Sequence, residues 1–345
     1  MAVRAGAATG QRAMEVLCVI GPRPLDQQIV ARAGMPFERL HVGGVKGMAP
    51  WQVGLNISRF ALAVPRAAAI LRRFKPHAVL LGGGYVCAPV AVAAWTLHIP
   101  MLTLCVDVVP GWSVRLAARL ATRVAIAFPE ACGHLPAGSV TGYPLRTAFL
   151  DADRTAARQR FGIPVEARLV LAFGGSLGAR AINQAISQGL TSLLPHAYVM
   201  HVTGNNTESA ADILPELPPH LSERYRRYRY LDADDMAAAL AAADLAVCRA
   251  GAATMAELPA MGLPAVLIPG EFSAQEYNAR MMVQRGAALS IRDRDLTSAS
   301  LVEAVVPLLL DADRLARMAA ASRALARPDA AARVAGMVRE VAGCV

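Results

Sequence analysis

Lysine is nearly missing from this chain: two residues, Lys46 and Lys75, stand beside 33 arginines. That skew reflects GC-rich coding and carries no mechanism. Aromatic residues make up only 5% and are not interleaved with basic ones, which removes the stacking platforms that nucleic-acid binders use. Cys18, Cys87, Cys105, Cys132, Cys248 and Cys344 are scattered with no CxxC pair, excluding a disulfide framework or a zinc site and predicting reduced, buried thiols. The first residues, MAVRAGAATGQRAME, contain no apolar core of signal-peptide length, so a cytoplasmic protein is expected. Residues 78–106 carry no charge, yet Gly82, Gly83, Gly84, Pro89 and Pro100 cut them into pieces too short to span a bilayer. They read as strand, helix, strand, with strands apolar on both faces as in a parallel sheet.

What is present is apolar mass, 55% hydrophobic against 18% charged, in 345 residues. Such a chain folds, and it exceeds the roughly 250–300 residues at which one core stops growing, so two domains are expected. Charge separates them. Residues 1–150 carry 15 basic against 5 acidic side chains, and the remainder 20 against 21. A basic first half suits a polyanion, an anionic membrane face or a phosphorylated substrate, or is simply a solvated arginine-rich surface.

Short β-branched or leucine-rich runs, glycine turns and alanine-rich helices alternate along the chain, predicting two doubly wound parallel α/β sheets. The strands read 15–21, 39–43, 77–81, 101–106 and 123–128 in the first half. In the second they read 168–174, 197–204, 227–231, 244–248, 264–269 and 287–291. Domains are expected over 1–145 and 146–328, with 329–345 a helix crossing back to the first domain. Residues 299–342 read as a pair of helices, and residues 51–75 as a helix interrupted near Pro65.

The sharpest motif is RLVLAFGGSLGARAINQAI (168–186). A strand ends in Gly174-Gly175-Ser176 and a helix begins near Gly178, placing backbone N–H groups, a helix N-terminus and a hydroxyl around one point, as a diphosphate requires. It is neither GxGxxG nor GxxxxGK[ST]. A second constellation spans 248–279: Arg249 after a buried strand, Gly251 opening a helix, Glu257 about two turns in, then Gln275 and Asn278 after the next strand. All fall at carboxyl ends of strands, where doubly wound sheets bind ligands. A carboxylate there can accept both hydroxyls of a ribose.

Taken together, GGSLGARAIN (174–183), DDM (234–236), RAGAATMAEL (249–258), GLPAVLIP (262–269) and QEYNA (275–279) resemble the family of N-acetylglucosamine transferases that make lipid II, glycosyltransferase family 28. The first half matches at 82–100, 109–130 and 141–146. The resemblance implies the GT-B fold, two Rossmann-like domains facing a cleft. It implies inverting, metal-independent transfer from UDP-N-acetylglucosamine to undecaprenyl-diphospho-muramoylpentapeptide, with no cofactor, at the cytoplasmic membrane face, with envelope-synthesis proteins as further partners. By position, Ser176 and Arg146 hold the donor diphosphate, Glu257 the ribose, the backbone near Ala233 and Met236 the uracil, and Gln275 and Asn278 the sugar. Gly174, Gly175, Asn183, Arg249, Gly251 and Thr254 complete the donor set, and Gly82, Gly83, Gly84 and Tyr85 cradle the acceptor diphosphate.

Three departures lie on the acceptor side. The family's opening strand and GGTGGH loop are not found, and residues 2–13 read as the remains of the helix that follows them. The family's HEQN reads Leu104-Cys105-Val106-Asp107, leaving Asp107 the only acidic residue at the end of a first-domain strand and hence the candidate general base. Tyr143 replaces an asparagine. Two other outcomes stay open: a transferase with another lipid or small-molecule acceptor, and a nucleotide-sugar-binding scaffold without turnover.

The amphipathic stretch 51–75 interleaves Trp51, Leu55, Phe60, Leu62, Ile70 and Leu71 with Arg59, Arg66, Arg72, Arg73 and Lys75. It is either a docking face for anionic lipid or a helix packed on the sheet with its arginines in water.

Overall fold

The structure, a computed structural model, describes residues 2–5, 14–42, 50–205, 216–271 and 274–343. They form two compact units, Met1–Gly142 with Asp329–Val345, and Tyr143–Pro328. The seam thus falls just before the 145/146 boundary drawn on the sequence.

The first unit is built on β1 (Ala2–Ala5), β2 (Met14–Ile20), β3 (Phe37–Arg39), β4 (Ala78–Leu81), β5 (Met101–Cys105), β6 (Arg123–Ile126) and β7 (Ser139–Val140). Their spatial order is β3-β2-β1-β4-β5-β6-β7. Helices α1 (Pro24–Arg32), α2 (Pro50–Phe74), α3 (Cys87–Thr96) and α4 (Trp112–Leu120) connect them. Every pairing is parallel except those of β1, which runs antiparallel to both β2 and β4, with Ala2 opposite Leu17 and Val79.

Residues 2–5 are therefore a strand and not the end of a helix. Without β1 the facing edges of β2 and β4 would leave a row of unpaired backbone groups inside the sheet, and a short extended segment satisfies them. Its direction follows from chain length: a parallel neighbour needs a crossover of about a dozen residues, more than separate Ala5 from Met14. The rest of the expected helical remnant, 6–13, lies outside the described residues.

The second unit is an all-parallel sheet of β8 (Leu169–Phe173), β9 (Tyr198–Val202), β10 (Tyr225–Tyr228), β11 (Leu245–Cys248), β12 (Ala265–Leu267) and β13 (Ala288–Ser290), in the order β10-β9-β8-β11-β12-β13. That is the doubly wound order whose switch point lies between β8 and β11. Around it lie α5 (Arg154–Phe161), α6 (Arg180–Leu193), α7 (Pro219–Ser222), α8 (Ala233–Ala242), α9 (Thr254–Met261), α10 (Gln275–Gln284), α11 (Ser298–Leu310) and α12 (Ala312–Ala324). Both central strands are wholly buried, which is why they read as unbroken apolar runs.

Four sequence expectations shift. The strand read at 39–43 forms at Phe37–Arg39, and the one read at 227–231 forms at Tyr225–Tyr228, where β9 supplies partners. Arg229, Tyr230 and Leu231 thereby fall beyond the strand's carboxyl end. The C-terminal pair of helices is three. Asp311 ends α11 and caps α12 by accepting from Arg314 N–H at 2.8 Å, and α13 (Ala330–Val341) then returns to the first unit. Val334, Met337, Val338 and Val341, at helical spacing, bury against Ala78, Leu102, Leu104 and Ala125. Pro65 does not interrupt α2. It and Ala61, whose carbonyl loses a helical partner, are both exposed, which leaves the break open to solvent.

Candidate active site

In the second unit the carboxyl ends of β8, β9 and β10 open onto a cavity of about 220 Å³. Its walls are local consequences of the sequence. The loop after β8 must pass close to the one after β9: a Cβ on Gly178 would sit 2.0 Å from the Thr203 carbonyl oxygen, so only glycine fits. Gly174 is equally confined, since a Cβ there would lie 2.2 Å from Ala179 N. Asn205 N–H donates to the Ser176 carbonyl at 3.1 Å and ties the loops together. The close approach leaves Gly175 and Ser176 lining the cavity. At the start of α6 the N-cap, Ala179, offers the first-turn N–H groups no side-chain acceptor.

Opposite stands α8, whose first turn is capped by Asp232, accepting from Asp234 and Asp235 N–H at 3.1 and 2.9 Å. Ala233 and Met236 line the cavity beside it. Thr254 and Glu257 come from α9, where Glu257 lies in the first turn, since the helix begins only at Thr254. Arg146, just before the short 3-10 turn Thr147–Phe149, completes the ring. Burial pushes the Glu257 carboxyl up to about 7, with the Arg146 guanidinium pulling the other way. Arg146, Gly175, Ser176, Ala233, Met236, Thr254 and Glu257, far apart in sequence, are thus brought together.

Sequence reasoning missed Phe149, Arg229, Tyr230 and Leu231, all of which line the same cavity. The signal was available for Arg229, a basic residue at a strand's carboxyl end, but placing that end three residues late hid it. Arg229 is held by a hydrogen bond from its Nη2 to the Asn205 carbonyl at 3.2 Å.

Other expected donor residues do not line this cavity, and their side chains make contacts within the unit. Asn183 is buried in α6, its Nδ2 donating to the Thr203 carbonyl at 2.9 Å and its Oδ1 lying 3.1 Å from His201 Nε2. Burial, reinforced by Arg227, holds His201 down to about 3, so its ring is neutral. With Asn183 Oδ1 as acceptor, Nε2 carries the hydrogen and Nδ1 accepts from the Tyr225 hydroxyl, 3.0 Å away. Arg249 donates to the Ile268 carbonyl and pairs with Asp293. Gln275 accepts from Gly270 N–H at 2.8 Å, and Asn278 donates to the Ala250 carbonyl at 3.0 Å. Together these three lock the loops after β11, β12 and β13. Gly251 accepts from Met255 N–H ahead of α9.

In the first unit Gly83, Gly84 and Tyr85 share a cavity of about 570 Å³ with Gly21, Arg23 and Asp26, the last three unforeseen. Gly82 and Asp107 do not line it. Asp107 follows β5, and its carbonyl accepts from the Cys105 thiol at 3.2 Å. Leu104 and Cys105 are buried, and burial raises the Cys105 thiol to about 11, so neither offers a polar contact in place of the missing groups. Among the described residues no group of three His, Cys, Asp or Glu side chains could hold a metal ion, and no helix is long and apolar enough to cross a membrane.

Sequence comparison with known proteins points to one family. Residues 10–126 match the glycosyltransferase family 28 N-terminal domain, and residues 169–334 the C-terminal domain. A Desulforudis audaxviator protein named UDP-N-acetylglucosamine–N-acetylmuramyl-(pentapeptide) pyrophosphoryl-undecaprenol N-acetylglucosamine transferase is 38% identical over 341 residues, covering 95% of this chain and 91% of its own length. A Roseiflexus protein of the same name is 39% identical, covering 90% and 80%. Among solved structures, Acinetobacter baumannii MurG superposes with a TM-score of 0.69 at 24% identity, covering 93% of this chain and 90% of that one. With both domains matched in order and relatives aligned over nearly the whole length, the chain belongs to glycosyltransferase family 28, among the UDP-N-acetylglucosamine transferases of lipid II synthesis.

Proposed function

We propose that this enzyme transfers N-acetylglucosamine from UDP-N-acetylglucosamine to undecaprenyl-diphospho-muramoylpentapeptide, converting lipid I to lipid II for peptidoglycan. The observation that carries the reading is the second-unit cavity, which sets a hydroxyl, a guanidinium and a buried carboxylate around one volume at the switch end of the sheet. Ser176 Oγ, Arg146 and the Gly175 backbone take the diphosphate, Glu257 accepts the ribose hydroxyls, and Ala233 with Met236 frames the uracil. Transfer is an inverting displacement: the acceptor oxygen bonds to the anomeric carbon as the bond to UDP breaks. The electron pair leaves on the diphosphate, where fixed donors and the α6 N-terminus stabilise it, typically by several kcal/mol. We assign no metal ion or cofactor to the step. In the first unit, the Asp107 carboxylate takes the acceptor proton.

We further place the protein on the cytoplasmic membrane face, through the basic first unit. Phe60 and Trp112 lie with ring centroids 6.4 Å apart, and Leu62, Trp95 and Trp112 are 61%, 57% and 45% exposed. Arg66 and Arg72 are exposed on α2, and Arg73, exposed beside them, pairs with Glu38. Ile70 and Leu71, expected on the docking face, belong to the core, and the side chains of Trp51 and Leu55 lie outside the described residues. The deciding assay is transfer of radiolabelled sugar from UDP-N-acetylglucosamine to lipid I, with lipid II as the product. Retained donor binding without turnover would assign a scaffold, and turnover only on another lipid would reassign the acceptor.

A further inference from the structure

A second cavity of the same unit, about 410 Å³, lies at the opposite end of the sheet from the donor cavity. It is walled by residues at the amino ends of strands, Arg168 before β8, Asp244 before β11 and Leu263 with Pro264 before β12. Ligands of doubly wound sheets bind at the carboxyl ends, so the catalytic cavity does not explain this one.

Its charges are unbalanced. Asp244 is the only acidic residue in the lining, and it receives three guanidinium groups, Arg154 at 2.9 Å and Arg158 and Arg168 at 3.4 Å each, besides Leu169 N–H at 2.8 Å. Arg154 and Arg158 are further satisfied by carbonyls ending α8, those of Ala241, Ala242 and Ala243. Among the described residues the Arg168 side chain makes only its long contact with Asp244. Arg323, on α12, makes no ion pair among the described residues. Its guanidinium lies over Gly262, the left-handed residue closing α9, where a Cβ would stand 2.6 Å from it. Arg168 and Arg323 thus both line a cavity in which Asp244, the one acidic residue of the lining, is already engaged by three guanidinium groups. The remaining wall is apolar: Phe149, Leu150, Leu263 and Leu315, with Ala316 and Ala319 small enough to leave room.

We propose that this cavity binds a small amphipathic organic anion, its phosphate or carboxylate head between Arg168 and Arg323 and its apolar body against Leu263 and Leu315. A volume of this size falls within the usual range for small-molecule sites. The site also touches the donor cavity mechanically. Phe149 lines both cavities, and α9 carries Glu257 in its first turn while its last residues, Ala260 and Met261, line the second. Occupancy on one side therefore alters donor affinity on the other. This coupling, unlike the binding itself, rests on the donor assignment made above.

Calorimetric titration of the full chain with hexyl phosphate tests the site. Arg323→Glu should weaken binding about tenfold by replacing attraction with repulsion, and Ala316→Trp should abolish it by filling the volume. Hexyltrimethylammonium should not bind. Equal affinity in wild type and both variants, or equal binding of the cationic amphiphile, would overturn the proposal. Displacement of hexyl phosphate by phosphatidylglycerol vesicles would assign the head to a lipid, and no displacement to a soluble anion. UDP-N-acetylglucosamine titrated with and without saturating hexyl phosphate should differ at least about twofold in affinity, within the range of allosteric couplings. Identical values would overturn the coupling. No donor binding under either condition would instead overturn the donor assignment, which the hexyl phosphate titration does not depend on.

Discussion

If Glu257 holds the donor ribose as proposed, donor binding should depend on pH in the neutral range, where a free carboxylate would be silent. Ribose hydroxyls are donors, and the carboxylate accepts two of them only when ionised. With its pKa at about 7, near half of the unliganded protein holds a proton there at neutral pH. Protonation competes with the nucleotide, so affinity falls as pH falls through 7. For a single competing proton the apparent dissociation constant scales as one plus the ratio of proton concentration to acid constant. The loss between pH 8 and pH 6 is then about tenfold, or about 1.4 kcal/mol. UDP-N-acetylglucosamine is the right ligand because its diphosphate is esterified at both ends and does not titrate in this window.

Calorimetry in buffers of different ionisation heat should also register release of about half a proton per donor bound at pH 7. Glu257→Gln should flatten the dependence, and Arg146→Met should move its midpoint upward, because the guanidinium is what holds the carboxyl down. The sign for folding is the reverse of that for binding. A carboxyl whose folded pKa lies above its unfolded value stabilises the unliganded protein below its ordinary pKa, and that contribution is lost as pH rises toward 7. A donor affinity constant from pH 6 to 8, or a pH dependence surviving in Glu257→Gln, would refute the reasoning.

Other outcomes follow from the same geometry. Ser176→Ala and Arg146→Ala should each weaken UDP-N-acetylglucosamine binding by about 1–3 kcal/mol, checked by calorimetry, with melting temperature unchanged. Asp107→Asn should lower kcat on lipid I by about a hundredfold or more while leaving donor affinity alone, and wild-type turnover would remove Asp107 as the base. The protein should float with anionic but not neutral liposomes, lose that binding in added salt, and lose it when Arg72 and Arg73 become Glu, each charge near the lipid being worth about 1 kcal/mol. Arg158→Met should destabilise the second unit by about 3–5 kcal/mol in urea titration, since the guanidinium is 2% exposed and its loss strands carbonyls and weakens the setting of Asp244.

Much of this protein is written in local chemistry. Alternating apolar runs and glycine turns specify a parallel α/β sheet because a strand buried on both faces must be continuously apolar, as LVLAF and LAVC are. Gly174, Gly175 and Ser176 could be placed at a ligand end because a strand, a turn and a helix follow within a few residues. What the sequence left open depends on residues distant along the chain. Only the sheet shows that a slot between β2 and β4 calls for a partner and that the short return from Ala5 to Met14 makes it antiparallel. Only the fold shows that Asn183 and Asn278 each donate to a backbone carbonyl of a neighbouring loop, and that Gln275 accepts from Gly270 N–H in the loop leading into its own helix. Ile70 and Leu71 could equally have faced a membrane, and the sheet decided for the core. The raised pKa of Glu257 is likewise tertiary, because desolvation is set by everything packed around the carboxyl and by an arginine more than a hundred residues away.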